Sequence, residues 1–588
     1  MDFLKRVLST ITGLIIFCII LFLLFIIVGV ALGSNSDNVV DVKNNSVLEL
    51  KLNFPVQDYA DPTVFKDFPS LDDTKKDGLF NIINAIDYAA IDDKIKGISI
   101  DNTITVAGVA QIQALRDALL RFKSSGKFIT AYGDIYTQKD YYLSSVADTI
   151  FVNPAAIFEF KGLSTERFYY KDFEDKTGVK MEVIKLGKYK SAVEPYLLNE
   201  MSDENREQIT IYLNSIWSTM RSQIAKSRGL SEHQIDTIAG NLLARNATLA
   251  VASQLADKAV YHDEYLNMLK NALGISKSEE LNTINITDYA EHADLEIALN
   301  TRSKNRIAVI YAEGEIIYGK GNKDYIGDGV MNDAIREARE DERIKAVVLR
   351  INSPGGSALA SELIWREIEL TKQVKPVIVS MGNVAASGGY YIACNADRIV
   401  AEASTITGSI GVFGMLPNVK GLADNIGINA EQVTTHKNAM TYSFLEPLSE
   451  NQRTYFMNGI YDVYDLFTRR VAVGRGMTQD RVKEIGEGRV YTGLDALEIG
   501  LIDEIGGLDV ALEYAAKVAE IEEYRIEEYP VFEMNFDEIF ENFGWIKSDE
   551  TLLREKFGDQ VYETLSTIKS ATQRKGIQLM TVYPTTIK

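Results

Sequence analysis

The chain has 588 residues, 46% of them hydrophobic and 25% charged. That composition describes globular domains rather than a disordered or polytopic chain, and the length is too great for one ordinary domain. A formal net charge of −21 argues against nucleic acid as a partner, because phosphate binding needs a basic surface. The two cysteines, Cys18 and Cys394, stand far apart. They offer no disulfide framework, no Cys/His cluster has zinc-like spacing, and neither metal nor cofactor is expected.

In chain order, residues 1–36 read as a short stub followed by an anchor. From Leu14 to Leu32 the sequence is uncharged and almost wholly apolar, enough for one bilayer-spanning helix. Lys5 and Arg6 precede the run and Asp37 and Asp41 follow it. The positive-inside rule then leaves the N-terminus in the cytoplasm and the body on the far side of the membrane. A cleaved signal peptide is the competing reading, but the apolar run exceeds the usual signal core.

Residues 37–300 and 301–525 read as two copies of one α/β domain. Residues 95–190 align with 344–439 without a gap: Ile95-Lys96 falls on Ile344-Lys345, Gly133 on Gly382, Tyr141-Tyr142 on Tyr390-Tyr391, Asp148 on Asp397, and Gly162 on Gly411. Later, Ser202 pairs with Ser449, and Ala250…Asp257 with Ala496…Asp503. Short β-branched runs, such as Ala346–Leu349 and Val377–Val379, alternate with helical stretches such as Ser361–Lys372, which predicts a mainly parallel sheet packed by helices. The polar stretch around 276–305 reads as a linker. The tail, 526–588, has no counterpart in the repeat.

The copies differ where chemistry is expected. Asn352-Ser353-Pro354-Gly355-Gly356-Ser357 follows a predicted strand in the second copy, whereas the first has Thr103-Ile104-Thr105-Val106-Ala107-Gly108 there. Ser387, set in Ala385-Ala386-Ser387-Gly388-Gly389, is matched by Gln138, and Lys190 of the first copy falls on Ala439. A serine hydroxyl needs a neighbouring base to become a nucleophile. Lysine serves as that base only when burial lowers its pKa towards neutrality. Gly388 at a helix start and the Pro354-Gly355-Gly356 turn have the backbone freedom to present N–H groups to an oxyanion. Taken singly, a Ser-Gly-Gly triplet is a helix cap, Pro-Gly-Gly a turn, and Lys190 part of a basic strip with Lys185 and Lys188. Their combination at matched places in a duplicated fold is the signal.

At these residues the sequence resembles the long form of the signal peptide peptidase A (protease IV) family. Tyr189-Lys190-Ser191-Ala192-Val193-Glu194-Pro195 is similar to the family's base-bearing motif, Ala386-Ser387-Gly388-Gly389-Tyr390 to its nucleophile motif, and Thr407–Gly414 to the signature that follows. The resemblance implies Ser387 as nucleophile, Lys190 as general base, and Ser409 as the residue orienting the lysine. It implies an oxyanion hole from Gly388 and the glycine turn, Gly356 with Gly355 beside it. It further implies a tandem ClpP/crotonase-like fold, a homotetramer, and a bacterial inner-membrane location with the catalytic body on the periplasmic side. Remnant signal peptides and other hydrophobic peptides are the implied substrates. Two other classes are weighed against it: a crotonase-like acyl-CoA enzyme, which has no need of a serine paired with a lysine from a second copy, and an inactive peptide-binding scaffold. A Ser-His-Asp hydrolase would have to draw on His233, His262, His292 or His436, of which only His436 falls near the predicted site, as a loop residue.

Overall fold

The computed structural model describes residues 12–24, 40–59, 64–65, 78–101, 104–436, 438–439, 442–534 and 577–580. Residues 12–24 are helical; the rest of the expected anchor, 25–32, lies outside the described residues, as do residues 1–11. Among the described residues no helix is long and apolar enough to cross a membrane.

The N-terminal copy is built on a six-stranded sheet. Its spatial order is Lys258–Ala259, Thr149–Phe158, Phe128–Tyr136, Ile95–Asp101, Ser46–Leu50, Thr283–Asn285, and every neighbouring pair runs parallel. The C-terminal copy repeats this plan in an eight-stranded sheet. Arg306–Glu313, Ile344–Ser353 and Val377–Ala386 form its centre, with Arg525–Tyr529 at one edge beside Arg306–Glu313. Parallel strands covered on both faces favour continuous apolar runs over alternation, and Ile344–Ser353 is buried at nearly every position.

Duplication extends to single hydrogen bonds. Ile129 N donates to Asp148 Oδ2 at 2.8 Å, and Val377 N to Asp397 Oδ2 at 2.8 Å. Ile150 N donates to Asp257 Oδ2 at 2.7 Å, and Ile399 N to Asp503 Oδ2 at 2.7 Å. The Tyr141 hydroxyl bonds the Leu255 carbonyl as Tyr390 bonds that of Leu501. Both copies carry a 26-residue helix, Asp203–Arg228 and Glu450–Arg475. The first is capped by Ser202 and the second by Ser449; Gly229 and Gly476 end them in left-handed conformation. These are the expected residues for a helix start and stop.

The stretch read as a linker is structured. Thr283–Asn285 forms an edge strand, and the helix Ile286–Asn300 buries Ile286, Tyr289, Ala290 and Ala293 within the core of the first copy. Its polar composition belongs to the exposed face. Arg525–Tyr529 crosses the expected 525/526 boundary as a strand of the second copy's sheet.

A third, six-stranded sheet joins the copies. Lys180–Leu186 of the first copy pairs antiparallel with Val412–Asn418 of the second, in register from Leu186 opposite Val412 to Lys180 opposite Asn418. A buried ion pair also crosses the interface: Arg350 Nε lies 2.9 Å from Asp58 Oδ2, and Gln111 Nε2 donates to Asp58 Oδ1 at 3.0 Å. The two copies are thereby held in one register.

Candidate active site

The central strand Val377–Ala386 ends at Ser387, the residue before the helix Gly388–Ala393. Ser387 has φ +57 and ψ −113. A left-handed backbone at a residue with a Cβ stores roughly 1–3 kcal/mol of strain and persists only where neighbours hold it. The Ser387 N–H donates to the Gly408 carbonyl, and its own carbonyl accepts from Tyr391 N, both at 2.8 Å. The side chain is thus fixed at a sharp strand-to-helix turn, fully buried.

Lys190 arrives from the other copy. The strand Lys180–Leu186 delivers the chain to a turn at Gly187, and Tyr189 N donates to the Glu487 carbonyl at 3.0 Å. Gly488 then lies against the lysine backbone: a Cβ there would stand 2.6 Å from Lys190 Cβ and 2.7 Å from Lys190 N. Gly411 leaves room for the stem, with Lys190 Cδ 3.2 Å from where its Cβ would be. The amine ends 2.7 Å from Ser387 Oγ. It also donates to Ser409 Oγ at 3.1 Å and to the Ser409 carbonyl at 3.2 Å. Ser409 is itself held at φ +52, its N–H donating to the Arg489 carbonyl at 2.7 Å.

Lys190 is 1% exposed, and among the described residues no carboxylate forms an ion pair with it. Burial, with no compensating charge, holds its amine well below the usual lysine pKa. A neutral amine is a proton acceptor, which a protonated one is not.

The glycine turn lies beside the serine. Gly355 has φ +98 and Gly356 φ +157, and a Cβ on Gly355 would stand 2.6 Å from Gly388 N. Gly355 already donates its N–H to Ser353 Oγ at 3.2 Å. Gly356 packs against Ile316, whose carbonyl oxygen would lie 2.0 Å from an added Cβ. The structure therefore brings Ser387, Lys190, Ser409, Gly388 and Gly355 to one place, with Gly356 next in line. His436 is exposed and bonds Thr435.

Comparison with known proteins agrees with the duplicated plan. The model of "Peptidase family S49" matches residues 121–276 and 369–522. The chain is 36% identical over 453 residues to "Protease 4" of Haemophilus influenzae, covering 76% of this chain and 73% of that one. It is 35% identical over 438 residues to "Serine protease SPPA, chloroplastic" of Arabidopsis thaliana, covering 74% of this chain and 64% of that one.

The chain belongs to peptidase family S49. It is a serine protease with two S49 regions. The chain is also similar to a solved ClpP1 mutant from Listeria monocytogenes, at 14% identity over 34% of this chain and 91% of that one, with a TM-score of 0.24. Lys190 lies in the first S49 region, and Ser387, Ser409 and Gly488 lie in the second, while Gly355 and Gly356 precede it. Gly488 and Gly411, which make room for the lysine, carry no local chemical signal. Gly411 is matched by Gly162 in the repeat and falls in the Thr407–Gly414 segment, whereas Gly488 has neither signal.

Proposed function

We propose that this S49 protease is a membrane-anchored endopeptidase in which Ser387 attacks the peptide carbonyl and Lys190 serves as its base. One observation carries the reading: a fully buried lysine amine, without an acidic partner among the described residues, lies 2.7 Å from the hydroxyl of a serine fixed at a sharp turn. In the first step neutral Lys190 takes the Ser387 proton as Oγ bonds to the carbonyl carbon, and the N–H groups of Gly388 and Gly356 receive the oxyanion. Lys190 returns the proton to the leaving amine, then activates water to release the acyl group. Ser409 orients the amine through its hydroxyl and carbonyl.

The two α/β units are read as ClpP/crotonase-like domains. Hydrophobic peptides, including cleaved signal peptides, are the substrates, and the apolar Leu14–Leu32 run supports an anchor in a bacterial inner membrane with the body on its periplasmic side. Assembly into a homotetramer has support in the repeat. The inter-copy ladder pairs 180–186 with 412–418, whose repeat equivalents are 429–435 and 163–169. Neither of these segments holds a strand, and Phe168 and Val433 are 66% and 96% exposed. Pairing 429–435 of one chain with 163–169 of the next would repeat the internal ladder head to tail, an arrangement that forms a ring when its rotation closes.

The test compares wild type, Ser387→Ala and Lys190→Ala on an apolar peptide, with mass spectrometry of a serine-directed acylating probe. Loss of cleavage in both variants, with the probe on Ser387, is expected. Near wild-type cleavage by either variant overturns the dyad.

A further inference from the structure

A cavity of about 600 Å³ lies where the two copies meet, and neither Ser387 nor Lys190 lines it. Residues within 54–59 line it from the first copy, residues within 311–314 and 322–331 from the second, and Pro530 and Phe532 complete the lining. Phe54, Tyr59, Tyr311, Tyr325 and Phe532 give it an aromatic wall. Tyr59 and Tyr311 are stacked with ring centres 4.6 Å apart, and their hydroxyls donate to the Pro530 carbonyl and to Glu528 Oε1, each at 2.8 Å. That pair of rings is thereby held in place.

Among these rings stands one carboxylate without a countercharge. Glu313, half-buried at the end of the strand Arg306–Glu313, lines the cavity. It accepts hydrogen bonds from Tyr59 N, Asp58 N and the Asn352 side chain, and among the described residues no cation pairs with it. An ionised carboxylate has about four acceptor sites, so these bonds leave room for a further donor. Burial, with Asp58 beside it, pushes its pKa up to about 7, a cost that a positive charge would relieve. Asp58 itself is met by Arg350. Lys323 and Asp324 are exposed neighbours in the lining and offset each other, which leaves Glu313 to set the sign of the interior. The acid is no part of the shared sheet plan. Val47 pairs with Gly97 as Ile307 pairs with Ala346, which puts Asn53 in the first copy where Glu313 stands in the second.

We propose that this cavity is an exosite of the protease, taking a positively charged group of a peptide substrate, a lysine side chain or an amino terminus, with apolar neighbours. The ammonium meets Glu313, and the aromatic wall favours both the cation and the apolar residues beside it. The cavity is placed to serve a peptide bound at the active site. The strand Glu315–Ile317, which begins two residues after Glu313, pairs through Ile316 with Gly356 of the glycine turn. The other neighbour of that turn is the tail strand Ile577–Met580, so the cavity lies off the opposite side. The proposal rests on the endopeptidase reading above and adds a preference for substrate charge away from the bond that is cut.

Binding to full-length Ser387→Ala enzyme tests this by fluorescence anisotropy. The probes are a long, labelled, N-acetylated apolar peptide beginning with two lysines, and the same peptide beginning with two glutamines. The lysine peptide is expected to bind about fivefold or more tightly, and Glu313→Gln in the same enzyme to abolish the difference. Should Glu313→Gln melt early, Tyr325→Leu, at a ring that is 42% exposed, carries the test and is expected to shrink the preference. Equal binding of the two peptides overturns the proposal. So does a lysine preference that survives in the folded variants, since it then comes from the net charge of −21 at large. Displacement of the peptide by N-acetyl-lysine methylamide at equal concentration overturns it too, by making the cavity a site for small cations. Failure of the dyad is a separate result, read on acylation of Ser387, which this binding assay does not use.

Discussion

The two copies share a sheet, a helix plan and matching carboxylate-to-backbone bonds, yet the same corner of each has been put to different use. In the first copy Gln138 stands where Ser387 stands in the second. Its Oε1 accepts from Lys161 N and Gly162 N, each at 3.0 Å, the equivalents of Ile410 and Gly411. In the second copy that corner is filled from outside, by the stem of Lys190 against Gly411 and its amine against Ser387. One copy closes the corner with a neutral amide. The other leaves it open and receives a lysine. The lesson is that duplication let a buried amine be supplied across an interface, where both walls exclude water.

Breaking the interface should have the largest effect. Asp58→Ala strands Arg350, which is 3% exposed, in the core. Removing one partner of a buried pair is expected to destabilise by about 3–5 kcal/mol, read as a lowered denaturation midpoint with activity lost in parallel. Next is Gly488→Ala. Its φ of +79 and the 2.6 Å approach to Lys190 Cβ force the lysine to shift. A displacement of about 1 Å is expected to lower kcat on the order of 100-fold, and the strain of an alanine at positive φ is expected to lower the melting temperature as well.

Gln138→Ala sharpens the contrast from the other side. Two amides lose their acceptor, so a loss of roughly 1–3 kcal/mol in stability is expected, with KM and kcat of the surviving enzyme unchanged. A fall in kcat with normal stability would show that the Gln138 corner, and not Lys190 alone, links the first copy to the chemistry. The smallest effect expected is a gain. Lys190 has its pKa lowered by burial, so below the unfolded-state pKa the unfolded chain binds a proton that the native chain does not. This penalty grows as pH falls from the unfolded pKa and is complete below the native one. Lys190→Met removes it, so the inactive variant should melt above wild type at neutral pH, and the gap should shrink as pH rises towards 10.5.

Much of the site was legible because each copy lacks what the other keeps: Ser387 against Gln138, Lys190 against Ala439. Strand and helix order followed from β-branched runs alternating with helical stretches such as Ser361–Lys372. Other features were hidden for physical reasons. The helix Ile286–Asn300 reads as linker because it buries only one narrow face. Gly488 acts by what it lacks, a Cβ, and so leaves no chemical signal. The strand Ile577–Met580 is too short for periodicity, and its partners are distant in the chain. The pairing of Lys180–Leu186 with Val412–Asn418 is a contact between unlike parts of the two copies, which aligning like with like does not reveal.

The central claim is that a neutral, buried Lys190 takes the proton of Ser387. Its most direct test is the pH dependence of Ser387 acylation by an active-site probe, in wild type and in Lys190→Ala. The wild-type rate is expected to rise with pH along a single limb whose midpoint lies below the lysine value of 10.5, and that limb should vanish with Lys190. A limb that survives in Lys190→Ala, or acylation as fast as wild type at neutral pH without the lysine, would contradict it.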